Sequence, residues 1–247
     1  MTIKIYGYGW VGKAMQTLFP NAFIHDPAQG KVTTRICDVA FICVPTPLKD
    51  GQVDSSIVED IIETSQENLI IVRSTVMPGT CDKFPKKSIC MQPEYLGETP
   101  NHPFLDQKTR PFLVLGGSQE NRRKAIEVYQ LAYNANVTIR QVTNYEAEVI
   151  KLSENRAIAW KMMQCQELYD ACEKAGIDYY TVRDAVYGDD PRFNLWWTFV
   201  YPEKRGFNNS KCLAKDVPAW CAWAESVGAS ADITNLLVEK SNEYARA

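Results

Sequence analysis

Residues 206–220 read GFNNSKCLAKDVPAW, which sets Cys212 between Lys211 and Lys215, with Asp216 following. Asp216 reads as the N-cap of a helix opening near Val217, with Pro218 tolerated in its first turn. A cysteine between lysines and just before a helix N-terminus is biased towards thiolate, the nucleophilic form. Locally, Cys212 is a nucleophile or a packing residue. Lys151 and Asn155 are four apart and project from one helix face. One cation and one amide donor on a face can hold an oxyanion, or they form a solvated polar face. Glu94 and Glu98, also four apart, follow a strand pattern, and Thr75 follows another. Loops at the C-terminal edge of a parallel sheet carry chemistry, although a solvated acidic loop and a strand-ending Thr are the plain alternatives.

A second group of residues is suited to phosphate. The segment IYGYGWVGKAM is G-x-G-x-x-G at Gly7, Gly9 and Gly12, after a strand pattern and before a helix pattern. Such glycines let backbone approach a pyrophosphate at a helix N-terminus. Asp26, nineteen residues after Gly7, ends the next strand pattern. An acid there accepts the two ribose hydroxyls of NAD and repels the 2′-phosphate of NADP.

The elements that must position these groups follow from periodicity. TIKIYG, AFIHD, VAFICV, LIIVRS, SICMQP, FLVLGG and VTIRQV read as buried strands. Helices are expected at about 10–19, 54–67 and 119–133. The alternation predicts an α/β fold: a Rossmann-type, doubly wound parallel sheet over residues 1–142. From Asn144 to Gly176 there is no Pro and no earlier Gly, which predicts one long helix. It opens a smaller all-helical domain, residues 143–247, that carries Cys212 and closes with a helix at about 230–244. The centre of the long helix, AIAWKMM, is apolar on nearly every side, so a homodimer built around it is expected.

Composition narrows the class. The 247 residues are 45% hydrophobic and 23% charged, as in an ordinary globular protein. A net charge of −3 gives no basic face for nucleic acid. Eight cysteines without a CxxC pair, and only two histidines, argue against zinc. No signal-peptide pattern and no membrane-length apolar run is read, so a cytoplasmic protein with reduced thiols is expected.

Five stretches in order, FICVPTP, RSTVMPGT, QPEYLGE, EAEVIKLSEN and CLAKD, resemble the nucleotide-sugar dehydrogenases, the family of UDP-glucose 6-dehydrogenase and GDP-mannose dehydrogenase. The resemblance implies four-electron oxidation of a sugar's primary alcohol to a carboxylate with two NAD and one water. The intermediate aldehyde would be captured on a cysteine as a thiohemiacetal, then oxidised to a thioester and hydrolysed. On this pattern Cys212 matches the nucleophile, and Lys151 and Asn155 the oxyanion pair. Asp216 and Thr75 match residues holding the catalytic water. Glu94 and Glu98 match two acids linked to hydrolysis and substrate contact, with the base unassigned between them. Tyr95 and Leu96 fall beside the substrate. Arg192 matches an arginine reaching the neighbouring subunit's substrate, and Phe207 an aromatic covering it. Cofactor contacts fall on Gly7, Gly9, Trp10, Val11, Gly12, Asp26, Val44, Pro45, Thr46 and Thr75. UDP-glucose is the expected substrate, and no metal is expected.

Two departures from the pattern stand out. The loop before Cys212 has Asn208, Asn209, Ser210 and Lys211 where relatives usually carry two glycines, and Ala214 replaces a proline. The pattern also ends near Ala247, where relatives continue into a third, nucleotide-gripping domain, so a short form with weak nucleotide grip is expected. The alternatives are a β-hydroxyacid-type dehydrogenase making one hydride transfer, which needs neither Cys212 nor the Glu94/Glu98 pair, and a non-catalytic NAD-binding protein.

Overall fold

The structure, a computed structural model, describes residues 1–97, 106, 108, 110–133 and 136–246. The chain divides into two compact units, Met1–Lys151 and Leu152–Ala247.

The first unit opens with β1 (Ile3–Tyr6), α1 (Trp10–Leu18), β2 (Phe23–His25) and β3 (Val39–Ile42). A short hairpin, β4 (Leu48–Lys49) and β5 (Gln52–Val53), precedes α2 (Ser56–Thr64). Then come β6 (Leu69–Val72), β7 (Ile89–Met91), β8 (Phe112–Gly116), α3 (Gln119–Tyr129) and β9 (Thr138–Val142). Five strands form a parallel sheet in the order β2-β1-β3-β6-β7, and β8 pairs with β9, also parallel. All seven strands expected from the apolar runs are present, although β2 is only half-buried and β9 is largely exposed, not buried as expected. The hairpin was not expected, although its Asp50-Gly51 turn, with φ of 51° and 77°, is a strong hairpin signal.

The period of two along each strand divides the core. Phe41 and Ile71 pack in one cluster with Met15 of α1 and Val128 and Tyr129 of α3. Their neighbours Ile42, Ile70 and Val72 pack in another with Val58 and Ile62 of α2. Helices therefore cover both faces, and β3 and β6 are buried along their whole length. This is the doubly wound architecture read from the sequence. Its strand order reverses at β1, which has β2 on one side and β3 on the other.

The helix α4 (Asn144–Ala175) is as long as expected. Its first two turns belong to the first unit: Ala147 joins the cluster around α2, and Glu148 accepts the backbone N–H groups of Gly79 and Cys81. The unit boundary thus falls two turns beyond the expected 142/143. The second unit contains the rest of α4, then α5 (Tyr179–Arg183), a π turn at Asp184–Asp189, α6 (Leu213–Ser226) and α7 (Asp232–Tyr244). Ala159, Met163, Phe207, Leu213, Val217 and Leu237 form one of its cores.

One helix start differs from expectation. α6 begins at Leu213, so Cys212, not Asp216, occupies the N-cap position. The Ser210 hydroxyl accepts the Leu213 N–H, which opens the helix four residues early. Asp216 lies inside the first turn, and Pro218 falls in the helix interior, where it removes one backbone bond.

Candidate active site

In the first unit, the glycine loop sits where β1 feeds α1. Gly7 has φ of +84°, and a Cβ there would lie 2.6 Å from the carbonyl oxygen of Cys43 at the end of β3. A Cβ on Gly12 would lie 2.1 Å from the carbonyl oxygen of Gly7. These two glycines answer to the protein's own packing. Gly9 does not: a Cβ there meets nothing within 4 Å. Gly9 and Trp10 are exposed, while Val11 packs against the core.

Asp26 closes β2 and accepts the Tyr8 N–H at 2.7 Å and Gln29 Nε2 at 3.0 Å. Both bonds fall on Oδ2. The acid is thereby tied to the glycine loop itself. Val44, Pro45 and Thr46 leave the end of β3, with Pro45 exposed and Thr46 buried. Ser74 Oγ donates to the Val44 carbonyl at 2.7 Å and fixes that exit beside buried Thr75, which follows β6.

Glu94, just beyond β7, is buried and fully engaged. Its Oε2 accepts from Arg73, and its Oε1 accepts the N–H groups of Tyr95 at 2.7 Å and Leu96 at 2.6 Å. Burial works against the charge. Arg73 and Arg110, with the hydrogen bonds from Arg73 and Leu96, outweigh it and hold the carboxyl below the usual carboxylate range. Arg73 also donates to Gln92, whose Oε1 accepts from Tyr129 at 2.7 Å. Lys151 Nζ donates to the Glu94 main-chain carbonyl at 2.6 Å and lies 5.8 Å from the Tyr95 ring centre. Glu98 lies outside the described residues.

In the second unit, Asn155 Nδ2 donates to Asp216 Oδ2 at 2.5 Å, and Lys215 Nζ donates to Oδ1 at 2.5 Å. Asp216 is buried, and its N–H bonds the Cys212 carbonyl at 2.8 Å. Cys212 is half-buried, whereas the other seven cysteines are buried, and all eight are thiols. Burial pushes Cys43 and Cys90 up to about 12 and Cys81 well above its usual value, so these three are poor nucleophiles.

Phe207, expected against substrate, is only 2% exposed and packs among Ala159, Met163 and Leu237. Its N–H donates to Ser241 Oγ at 2.9 Å. Here its ring is part of the core. Arg192 is exposed and chelates Asp190, with Nη2 to Oδ2 at 2.6 Å. It lines a cleft of about 420 Å³ with Trp160, Lys161, Tyr187 and Phe193.

Sequence reasoning missed Arg73, Gln92, Tyr129 and Lys215 as partners of the candidate residues. Arg73 left a signal, a charged residue closing the apolar run LIIV, but nothing in the sequence named its partners.

Residues 25–133 match the UDP-glucose/GDP-mannose dehydrogenase family, NAD binding domain, and residues 145–244 match the central domain of the same family. The chain belongs to the UDP-glucose/GDP-mannose dehydrogenase family. It is 29% identical over 206 residues to GDP-mannose 6-dehydrogenase of Pseudomonas aeruginosa, covering 74% of this chain and 45% of that one. It is 28% identical over 200 residues to UDP-glucose 6-dehydrogenase of Rickettsia typhi, covering 75% and 44%. The chain spans about half the length of these curated relatives. The solved UDP-glucose dehydrogenase of Pyrobaculum islandicum shares the fold, with a TM-score of 0.79 at 21% identity over 98% of this chain and 68% of that one.

The family's cofactor can be tested against the loop. Gly9 presents open space and exposed backbone at the start of α1, where a pyrophosphate is favoured by free N–H groups and the helix dipole. Asp26 stands at the end of the neighbouring strand. These residues fit NAD. Among the described residues, no group of three or more His, Cys, Asp or Glu is placed to hold a metal ion. No helix among them is long and apolar enough to cross a membrane.

Proposed function

We propose that the protein is an NAD-dependent nucleotide-sugar 6-dehydrogenase that oxidises a sugar's primary alcohol to a carboxylate through Cys212. The observation that carries this reading is Cys212 itself, the half-exposed one of eight cysteines, at the start of α6 and bonded through its carbonyl to the residue that holds Asn155. An anionic sulfur is favoured at a helix N-terminus.

Bound NAD supplies the hydride acceptor for each of the two oxidations, held by the Gly7–Gly12 loop and Asp26. After the alcohol becomes an aldehyde, the Cys212 thiolate adds to the carbonyl carbon, forming a C–S bond and an alkoxide. Oxidation of that thiohemiacetal leaves a thioester, and water cleaves the C–S bond, returning the thiolate and releasing the carboxylate. The balance is one sugar, one water and two NAD giving one carboxylate, two NADH and protons. Lys151 and Asn155 are the donors to the oxygen that bears negative charge in each step. Asp216 orients Asn155. Thr75, buried just after β6, is a candidate to hold the catalytic water, and Glu98 is a candidate for the hydrolytic base.

UDP-glucose heads the substrate panel because relatives are named for it, with GDP-mannose as the other case. Exposed Phe193, Leu195, Trp196, Phe199 and Tyr201 in the second unit support a homodimer. Eight cysteines, none of them in a disulfide, support a reducing, cytoplasmic setting.

The deciding experiment mixes the protein with NAD and a panel of sugar nucleotides and counts NADH against sugar consumed. Two NADH and one carboxylate per sugar are expected, with none of the acid from Cys212→Ala. One NADH per sugar, or an unimpaired Cys212→Ala, overturns the reading in favour of single-hydride chemistry.

A further inference from the structure

We propose that Ser241 of α7 is a positioning residue for Cys212, its hydroxyl holding the loop that carries the thiol to the start of α6. The kinetic consequences rest on the dehydrogenase reading above. The anchoring of the loop is testable without it.

The loop has two apolar pins with a short polar stretch between them. Phe207 and Leu213 pack in one cluster with Ala159, Met163, Val217 and Leu237. Between the pins lie Asn208, Asn209, Ser210, Lys211 and Cys212, with no glycine. Polar contacts set the course of the chain into that stretch. Gly206 has φ of +72°, and a Cβ there would lie 2.5 Å from the Ser241 carbonyl oxygen, so the backbone runs directly against α7. Gln166 of α4 accepts the Gly206 N–H at 2.6 Å. One residue on, the Phe207 N–H donates to Ser241 Oγ at 2.9 Å, and Ser241 Oγ donates to Asn208 Oδ1 at 2.6 Å. Asn208 Nδ2 donates to Asn242 Oδ1 at 2.7 Å, a second tie to α7. Relatives usually carry two glycines in this loop, and a glycine has no side chain to make such ties.

Ser241 is fully buried, so its hydroxyl must find partners within the protein. A serine inside a helix ordinarily turns its hydroxyl to a carbonyl one turn back. Ser241 instead bonds residues 34 and 33 positions upstream, accepting from one and donating to the other. From there the course to the thiol is set locally. The Ser210 N–H bonds the Phe207 carbonyl at 3.0 Å, and Ser210 Oγ accepts the Leu213 N–H at 3.1 Å. Ser210 thus takes its place from Phe207, and the Phe207 N–H takes its place from Ser241. Arg205, paired with Asp170 at 2.9 Å, holds the entry to the loop whichever residue stands at 241. Loss of the hydroxyl therefore loosens 207–212 and leaves the base of the loop pinned.

The step that fails identifies the role. In the reaction proposed above, the first oxidation takes hydride from the alcohol, and only the second needs the thiolate on the aldehyde carbon. A reacting group misplaced by about 1 Å loses roughly 100-fold in rate. Ser241→Ala should release the first NADH at the wild-type rate, lose about 100-fold in the second, and leak aldehyde that semicarbazide traps. Asn208→Ala removes one hydrogen bond at an exposed position and should lose about 3- to 10-fold in the same step. If Ser241→Ala does not fold, Asn208→Ala carries the test. The double variant should match Ser241→Ala within about twofold, because both substitutions break the same bond. Equal slowing of both NADH steps, no slowing of either, or losses that multiply in the double variant overturns the proposal.

A second measurement needs no substrate. The N–H groups of Ser210 and Leu213 do not bond Ser241, so their hydrogen exchange quickens only where the loop itself opens. Both should exchange at least about tenfold faster in Ser241→Ala, while α6 amides beyond its first turn keep their rates. Unchanged exchange at Ser210 and Leu213 in the folded variant refutes the anchoring whatever the substrate is. An absence of NADH in the wild type defeats the dehydrogenase reading alone and leaves this measurement to decide.

Discussion

Gly9 and Gly12 lie three residues apart in one loop, and the structure predicts opposite phenotypes for the same substitution. At Gly9 the backbone is extended, φ −74° and ψ −157°, and a Cβ meets nothing within 4 Å. Gly9→Ala therefore costs only the difference between two N-cap residues, about 1 kcal/mol or less. At Gly12 the added carbon would stand 2.1 Å from a backbone oxygen and 3.5 Å from Ile5 Cγ2. Neither the Gly7 carbonyl nor the core side chain can yield cheaply, so Gly12→Ala belongs at the upper end of overpacking costs, about 3 kcal/mol. At about 2–4 °C per kcal/mol for a chain of this size, that lowers Tm by roughly 6–12 °C.

Cofactor affinity should rank differently. A methyl on Gly9 occupies the open space offered to the pyrophosphate and displaces at least one hydrogen bond to a charged group. Such a bond is worth about 1.5–3 kcal/mol, so Kd for NAD should rise about 10- to 150-fold. Thermal melts without ligand and calorimetric titration with NAD provide the two axes. Gly9→Ala should lose no more than about 4 °C in Tm and should lose NAD. A Gly9→Ala protein that binds NAD as tightly as wild type, or melts as low as Gly12→Ala, would refute the assignment of Gly9 to the ligand.

Asp26 should set the choice between cofactors: Asp26→Ala weakens NAD and narrows its advantage over NADP, and tighter NADP binding by the wild type would remove the assignment. Acid stability should follow the buried carboxylates. Glu94 and Glu67 have folded pKa values below their unfolded ones. Their contribution is therefore complete above the unfolded value, about 4.3, and is lost as pH falls through the folded value. Urea midpoints between pH 3 and 7 should show a steep acid loss in the wild type and a shallower one in Arg73→Met/Glu94→Gln; parallel curves would remove Glu94 from the account.

The strands of this fold were legible because burial on both faces leaves a plain mark: LIIV and VAFI contain no polar residue to interrupt them. The long α4 was legible because nothing between Asn144 and Ala175 breaks a helix. The start of α6 was not, because Asp216 is a good N-cap by type. What decided its place was burial against Asn155 and Lys215, partners 61 residues upstream and one residue away. The short hairpin failed for another reason: its strands are two residues each, too short for a periodicity to register, although Asp50-Gly51 announced the turn.

The cysteines separate what a sequence can and cannot say about reactivity. Apart from Cys212, the other seven lie mostly in strand or helix runs, and all seven are buried. Burial penalises the charged form, and for Cys43 and Cys90 it pushes the thiol up to about 12, far from a nucleophile's range. Burial in the structure leaves Cys212 as the one half-exposed thiol. The acids do not yield to the same reasoning. Glu94 stands in a loop after a strand, the place where catalytic acids occur, and its type and position suit a base. What the sequence does not show is the company it keeps: one oxygen accepts from Arg73 and the other from the N–H groups of Tyr95 and Leu96. Arg73 is 21 residues away in sequence, just past the end of β6. For a thiol, reactivity turns on exposure, which periodicity predicts. For a carboxylate, it turns on which donors arrive from elsewhere in the fold.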